Sequence, residues 1–564
     1  MKKFQIEIPA IHAVEIKGNV YRRTKEEQQP DGFALTGSKY ESYLDMSNPL
    51  TNTSNFLSTI PAGQDQAAWD IELPKDGYYR ITFRYNNPGF MMGGARNLRD
   101  ERNCRVMIDD DSLGRKDNWL GWMIFSVSGY NQDWKPYSPQ TKETVAGNQE
   151  WNLNHLNCYL TAGIHRLYLT NEAPPGQAVY DGPNLDFIQV ESYDENYMEE
   201  SQLVNVSSTH SFQHPGIFQS ANDLEKLIFS YQKNVFGVRK AVEELMNANF
   251  IEDERVPHSI TAINVGPYNT PNIGGNEWTT DCIAAHDLAL LWIITGEKCY
   301  AKKTMAILNT WARYLKEVAD GNDLMLRFSL VGVELINAAE LIRHHYNQHT
   351  TISQDEQWQT AEIIAFENFI REKLLTKTAA FYPQANGNWD AIITAFNLAC
   401  GIFLEDTQLM DRCLRQFQLG NVAGGACLSM GALPNYVYPT GESQESNRDQ
   451  VHARMGLTGL ANVAHLASRQ GFDLFSLYQA RLLVGFNYNA AYQIGKNVVS
   501  ETFISDRGCG QVDISSLGFE CILAHYTDNK ELADIELAVI KTLRGAKNEG
   551  EMISGHRGSL LYGK

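Results

Sequence analysis

The sequence predicts two domains, an antiparallel β-sandwich over residues 1–200 and an all-α domain of stacked helical hairpins over residues 214–564, joined by a linker at 201–213. Three observations predict this. Apolar and polar residues alternate with a period of two through the first 200 residues, which suits strands with one buried face. After His214 the period becomes helical, and the polar stretch ESYDENYMEESQLVNVSSTH separates the two regimes. At 564 residues the chain also exceeds what one hydrophobic core supports.

In the first domain, AAWDIELPKDGYYRITFRYNNPG alternates on both sides of Lys75-Asp76-Gly77, which predicts a hairpin. CRVMIDD, CYLTAGIHRLYLT and NLDFIQVES repeat the pattern, with Gly163 and Pro183 as turn residues between them. The insert MMGGARNLRDERN and the stretch WLGWMIFSVSGYNQDWKPY break it. Aromatics there suit an interface with the next domain, or a platform for sugars.

The second domain opens at HPGIFQSANDLEKLIFSYQKN, where Ser220 and Asp223 give a helix start and Leu224, Leu227 and Ile228 an apolar face. Helices are predicted over 281–294, 299–314, 330–346, 354–375, 391–403 and 409–419. They are followed by one starting near Arg448, one over 474–494 and two beyond Ser515. Ten or so helices without intervening strands make an all-α domain; period alone leaves a closed ring and an open array equally available.

Composition narrows the function. The net charge of −19 and the lack of a Lys/Arg run interleaved with aromatics argue against nucleic acid, while a locally basic cleft for an anionic substrate stays compatible. No run of about eighteen apolar residues exists, so no membrane span is expected. The start MKKFQIEIPAIHAVEI is not an intact signal peptide; export with a signal removed and a cytoplasmic location both stay open. Nine scattered cysteines without a CxxC pair indicate neither zinc nor a disulfide framework, and read as small buried hydrophobes.

Chemistry concentrates in YPTGESQESNRDQVHARMGLTGLANVAHL, residues 438–466, where Glu442, Glu445, Arg448, Asp449, Gln450 and His452 lead into an apolar helix. On a helix, positions 445, 448 and 452 share a face. Ser446 and Asp449 form a capping-box pattern that would start the helix there. Met455, Gly456, Leu460 and Val463 continue below, so the His452 face points inward.

Three further stretches carry polar groups. In YPQANGNWDAIITAFNLACGIF, Asn386, Asn388, Trp389 and Asp390 precede a buried helix. This is a turn, or a way to hold a carboxylate or sugar hydroxyl. In NIGGNEWTTDCIAAHDLALLW the polar members are Asn276, Trp278, Asp281 and His286, the last reading as a hydrogen-bonded core histidine. In ARLLVGFNYNAAYQIG, Arg481, Tyr488 and Tyr492 lie near one another, as packing residues or with one phenol as a proton donor.

The strands around WDIELPKDGYYRITFRY and AGIHRLYL…NLDFIQV resemble the galactose-binding-like jelly-roll sandwiches of carbohydrate-binding modules. That resemblance implies a structural calcium between an early glutamate and an aspartate of the last strand, here Glu7 and Asp186. HPGIF at 214–218, LALLWIITGEKCYAKKTMAILNTWA, INAAELIRH at 336–344, NGNWDA at 386–391, GESQESNRDQVH at 441–452 and QGFDLFSLYQARLLVGFNYNAAY at 470–492 resemble, in order, the alginate-lyase-like polysaccharide lyases. Over roughly residues 210–500 the resemblance implies an (α/α) toroid, and β-elimination on a uronic-acid polysaccharide such as mannuronan or glucuronan. The product is a 4,5-unsaturated uronide.

That reaction needs the substrate carboxylate neutralised before a base removes the C5 proton, and then an acid at the departing O4. The resemblance assigns neutralisation to Asn388 with Arg448 and the base to His452, with Glu445 orienting it or binding sugar. One branch of the family has a tyrosine directly after the helix histidine, where this chain has Ala453. The acid therefore comes from Tyr488, Tyr438 or Tyr492, in falling order, or a tyrosine makes both transfers while His452 binds. Trp389, Asn386, Arg481, Asn276 and Trp278 complete the expected substrate contacts, and no cofactor is required for catalysis. Two rivals remain at this level. A glycoside hydrolase on the same toroid would use two of Asp281, Asp390, Glu445 and Asp449; a non-catalytic glycan-binding protein would use neither chemistry.

Overall fold

The computed structural model describes residues 3–18, 20–27, 35, 37–46, 65–87, 91–92, 95–96, 102–110, 118–125, 151–171, 182–193, 197–247, 257–266, 271–321, 323–499, 518–526 and 534–535. The N-terminal strands build two facing antiparallel sheets. One has the order Asn152–Leu160, Gly77–Asn86, Asn184–Ser192, Ser42–Asp45, Tyr21–Thr24, with Gln5–Pro9 also pairing on Asn184–Ser192. The other runs Trp119–Phe125, Arg102–Ile108, Gly163–Thr170, Gln66–Leu73, Glu15–Lys17. Between them Trp69, Ile81, Phe83, Val106, Leu167 and Ile188 form the core.

The expected hairpin at Lys75-Asp76-Gly77 is instead an arch. Its two strands lie in opposite sheets, and a second arch from Leu160 to Gly163 stands beside it, with Gly77 opposite Leu160 and Leu73 opposite Gly163. Asp76 accepts a hydrogen bond from the Ala162 backbone at 2.7 Å, tying arch to arch. Alternation is the same for a strand in either sheet, so the pattern located the strands and not their partners. The end of the aromatic stretch, residues 126–137, lies outside the described residues.

The calcium expectation meets two cations. Asp186 sits where the pairing of its strand with Gly77–Asn86 slips between Leu185 and Phe187, a bulge that turns its carboxylate inward. There it pairs with Arg84 and accepts from Ser38 Oγ at 2.7 Å and the Lys39 backbone at 2.8 Å. Glu7 accepts from Lys39 Nζ and the Tyr40 hydroxyl, both at 2.5 Å. Two side-chain cations already neutralise both carboxylates, so this donor set does not fit a calcium ion.

The helical domain comprises α1 (Ala221–Gln232), α2 (Phe236–Met246), α3 (Gly275–Thr295), α4 (Lys298–Tyr314), α5 (Leu324–Leu341), α6 (Thr360–Phe369), α7 (Leu375–Thr378), α8 (Gly387–Phe403), α9 (Thr407–Leu419), α10 (Leu433–Tyr436), α11 (Gln450–Arg469), α12 (Leu477–Gln493) and α13 (Gly518–His525). Helices α3, α5, α8 and α11 pack in succession as an inner layer, backed by α4, α6, α9 and α12. The inner helices are apolar all round, not striped: every residue of α8 except Trp389 is buried. α1 packs on α3 and reaches α11 through Asp223 and Arg469, 3.2 Å apart, which draws the array into the expected toroid. Among the described residues no helix is long and apolar enough to cross a membrane. Of the two helices expected beyond Ser515, α13 is described.

The linker is an ordered strap. The backbone amides of Val204, Val206 and Gln213 donate to Gln418, Asp411 and Gln470 of the helical domain at 2.8, 2.8 and 3.0 Å. The two domains also share backbone: the Trp122 amide donates to the Gln384 carbonyl at 2.8 Å and the Tyr159 amide to Ala426 at 3.0 Å. Asn157 donates to Asn435 at 3.0 Å, and Met430 enters the sandwich core. The aromatic break in the strand pattern, Trp119 to Phe125, is thus an interface element.

Candidate active site

The inner helices α8 and α11 run side by side in one direction: Asn388 meets Met455 near their starts, and the Gly459 backbone lies against Ala391. Their N-terminal ends are joined by loop 437–449, whose Gln444 accepts from the Gly387 backbone at 3.1 Å. The two most polar motifs of the sequence therefore form one site.

α11 starts later than the capping-box reading expects. Asp449, not Ser446, is the cap, and its carboxylate accepts from the His452 backbone at 2.8 Å. Ser446 instead bonds Ser443 across a tight turn, 3.0 Å between hydroxyls. Glu445 and Arg448 consequently belong to the loop and not to the His452 helix face, although Arg448 Nη1 still lies 3.6 Å from Glu445 Oε2. A cap needs a side chain that can fold back on the next turn, and Asp449 has the amide within reach while the Ser446 hydroxyl is engaged with Ser443.

Asp449 also takes the role expected of Glu445. Its Oδ2 lies 2.7 Å from His452 Nδ1. Since a carboxylate only accepts, Nδ1 carries a proton, and in the neutral ring Nε2 is the nitrogen with the lone pair. The His452 side chain is 26% exposed against 3% for Asp449, so the free nitrogen faces the open side. Burial alone pushes the Asp449 carboxyl up; the hydrogen bonds from His452 and the charges of His452 and Arg448 outweigh it and hold the group well below the usual carboxylate range. In the sequence Asp449 read as part of a helix start or as one of four candidate hydrolase carboxylates, and not as the partner of His452, since an i to i+3 side-chain pair looks the same whether it caps or orients.

Tyr436 sits beneath this turn. Its hydroxyl donates to the carbonyls of His452 and Ala453 at 3.0 and 3.1 Å. Burial first, and then the Glu445 charge, push its phenol well up, so it stays a donor. A Cβ on Gly456 would lie 2.1 Å from that hydroxyl, so only glycine lets the ring pass.

The remaining expected residues divide. Asn388 is fully buried, with Nδ2 3.4 Å from Met455 Sδ and, among the described residues, no hydrogen-bond partner for Oδ1. Asn386 caps α8 without a side-chain bond, and half-buried Trp389 meets Tyr382 edge-on at 5.9 Å. Tyr488 packs by its Cβ against Gly441, whose φ of 93° turns the loop there, and its neighbour Asn489 donates to Gln450 at 3.2 Å. These residues gather at the site.

Others do not gather there as open groups. Tyr438 is 1% exposed, with the Arg80 guanidinium 4.6 Å from its ring centroid and His155 edge-on at 5.6 Å, a domain-interface residue. Tyr492 is 7% exposed, and Arg481 donates to the Val437 carbonyl at 3.1 Å, bracing the loop. Trp278 is core, ringed by Trp311, Phe328 and Phe369; an indole at that helical spacing looks the same in sequence whether buried or exposed. Asn276 lines a separate cavity of 430 Å³ with Glu277 and Arg327. His286 is the expected core histidine, 2.5 Å from buried Glu334.

Two of the four carboxylates a hydrolase could use are committed elsewhere. Asp281 accepts from the His258 backbone and Trp311 at 3.1 and 3.0 Å, and Asp390 from the Tyr382 backbone at 2.8 Å as well as from Gln416 and Ser429.

Residues 266–498 match the family described as Alginate lyase. Among solved structures, an alginate lyase from Bacteroides ovatus shares 12% identity, covering 62% of this chain and 99% of its own, with a TM-score of 0.41. A family 35 carbohydrate-binding module from Clostridium thermocellum shares 17%, covering 34% of this chain and 99% of its own, with a TM-score of 0.21. The family 35 module from Paenibacillus barcinonensis shares 13%, covering 33% and 99%, with a TM-score of 0.20. No curated protein matches the chain. The helical half is thus a polysaccharide lyase domain. The family match takes in both motifs of the His452 site.

Proposed function

We propose that the chain cleaves a uronic-acid polysaccharide, mannuronan or glucuronan, by β-elimination, with His452 as the base at C5. The observation that carries this is the Asp449–His452 pair, which fixes the ring so that Nε2 is the free nitrogen, on a side chain open to substrate. Arg448, 15% exposed at the mouth of the loop, neutralises the substrate carboxylate. Asn388 joins it once Met455, a flexible side chain, swings aside.

The bond order of the step is simple. His452 Nε2 takes the C5 proton, the C5 electron pair forms the C4=C5 double bond, and the C4–O4 bond breaks. The departing oxygen takes a proton from Tyr488, whose helix lies against the same loop. Supporting a lyase over a hydrolase, Asp281 and Asp390 are buried in structural networks and Asp449 is committed to His452. A polymeric substrate fits export to the periplasm or the medium.

The test is an ultraviolet screen over polymannuronate, polyguluronate, glucuronan and glycosaminoglycans. Near-ultraviolet absorbance must grow with chain cleavage. New reducing ends without absorbance would overturn the lyase reading, and binding without any cleavage would favour a glycan-binding protein.

A further inference from the structure

Two motifs that the catalytic reading leaves unused, HPGIF and INAAELIRH, meet in the fold. His214 Nδ1 lies 2.7 Å from Glu340 Oε1, which also accepts from the Gly216 backbone at 3.0 Å. Glu340 and His344 stand one turn apart where α5 passes into a π-helical turn, Ile342–Tyr346, a local form frequent at functional sites. Glu340 is fully buried. Its Oε2 lies 3.7 Å from His344 Nε2, too far for a hydrogen bond, and among the described residues neither atom has another hydrogen-bond partner. His214 Nε2 is likewise without one, its nearest acid being Glu405 at 3.4 Å.

A buried carboxylate oxygen and two imidazole nitrogens left unbonded in one place are costly. One donor atom from each residue lies within 4.8 Å of the others, close enough to converge on a common ion. Donors about 2.0–2.2 Å from a tetrahedral zinc stand about 3.3–3.5 Å apart. The stacked rings of His214 and His344, 3.9 Å between centroids, need only splay slightly to converge.

We propose that His214, Glu340 and His344 bind a divalent transition metal of the zinc class, with Glu405 at the mouth as a fourth donor. Two imidazoles and a carboxylate suit zinc, whereas calcium and magnesium favour oxygen alone. The site is structural. The segment it anchors runs on to Phe218, whose amide donates to Asn337 at 3.2 Å and whose carbonyl accepts from His465 at 2.7 Å. His465 lies thirteen residues along α11 from His452, about 20 Å at helical rise. The metal would clamp the end of the toroid remote from the chemistry.

The test uses the full chain, stripped with a chelator and titrated with Zn²⁺ under calorimetry, with elemental analysis after gel filtration. Wild type and His452→Ala are expected to retain one zinc per chain. Affinity is expected to fall ten- to a hundredfold or more in Glu340→Gln and His344→Ala, and zinc to raise the melting temperature of wild type but not of those two. Wild type that retains no zinc overturns the proposal, as does unchanged retention in both variants. So does loss of zinc with Cys521→Ser instead, because His465, Cys521 and His525 form a second candidate cluster. If His344→Ala fails to fold, the near-isosteric Glu340→Gln decides by the same readings.

Discussion

Asp449 holds His452 twice, by the backbone amide at 2.8 Å and by the ring Nδ1 at 2.7 Å, so one carboxylate both starts the helix and fixes the tautomer of its histidine. Asparagine caps a helix about as well as aspartate but cannot accept through both side-chain atoms. Asp449→Asn is therefore expected to keep the fold and lower kcat by about 10²–10⁴, with KM little changed, while His452→Ala loses turnover and keeps binding. Unsaturated-product absorbance with a binding isotherm on the same polymer measures both.

The same carboxylate gives a pH dependence of stability. Its folded value is depressed, so its contribution is fully present above the ordinary carboxylate value, about pH 4, and fades as pH falls through the folded value. The gap in melting temperature between wild type and Asp449→Asn should be wide near neutral pH and narrow on acidification. A gap that stays constant down to about pH 3 would mean that shape and not charge is lost.

Gly456 is predicted to be intolerant. Alanine there drives a methyl into the Tyr436 hydroxyl, 2.1 Å from the Cβ position, and overpacking of this kind costs about 1–3 kcal/mol. Tyr436→Phe, which removes the donor to two carbonyls of the first α11 turn, should cost about 1 kcal/mol. Denaturant midpoints of the two single variants check both.

The domain interface should matter to catalysis. Arg80→Met keeps the stem that packs on Tyr438 and removes the cation, for a loss of about 1–2 kcal/mol at a buried site. Because Tyr438 leads into the loop carrying Glu445, Arg448 and Asp449, kcat is expected to fall several-fold as well. Activity unchanged in a destabilised variant would confine the sandwich to a scaffolding role.

Trp278→Phe separates core from site. It should lower stability while leaving KM unchanged, as a ring enclosed by Trp311, Phe328 and Phe369 requires; a raised KM would return Trp278 to the substrate.

Elements were legible where period and composition acted locally. The helices ending at Tyr314, Phe403 and Leu419 finish at the expected residues, and the strands lie where alternation put them. What needed three dimensions was lost. The Lys75-Asp76-Gly77 turn carries hairpin residues yet crosses between sheets, because pairing is decided by the second arch at Leu160 to Gly163. At the candidate site, His452, Asn388 and Tyr488 were singled out by residue type, and the structure adds Asp449 and Tyr436, whose roles are positional. Nothing local reveals, either, that Lys39 and Arg84 fold back onto Glu7 and Asp186, the carboxylates expected to hold calcium.

The Asn157–Asn435 contact links residues 278 positions apart in the chain. During synthesis at 5–20 residues per second, the sandwich face bearing Arg80, His155 and Asn157 waits roughly 15–60 s for its covering segment to emerge. For that interval the nascent chain displays a patch meant for the interior. Until the helical domain emerges, that patch has no intramolecular cover, and exposed interior surface of this kind is prone to aggregate.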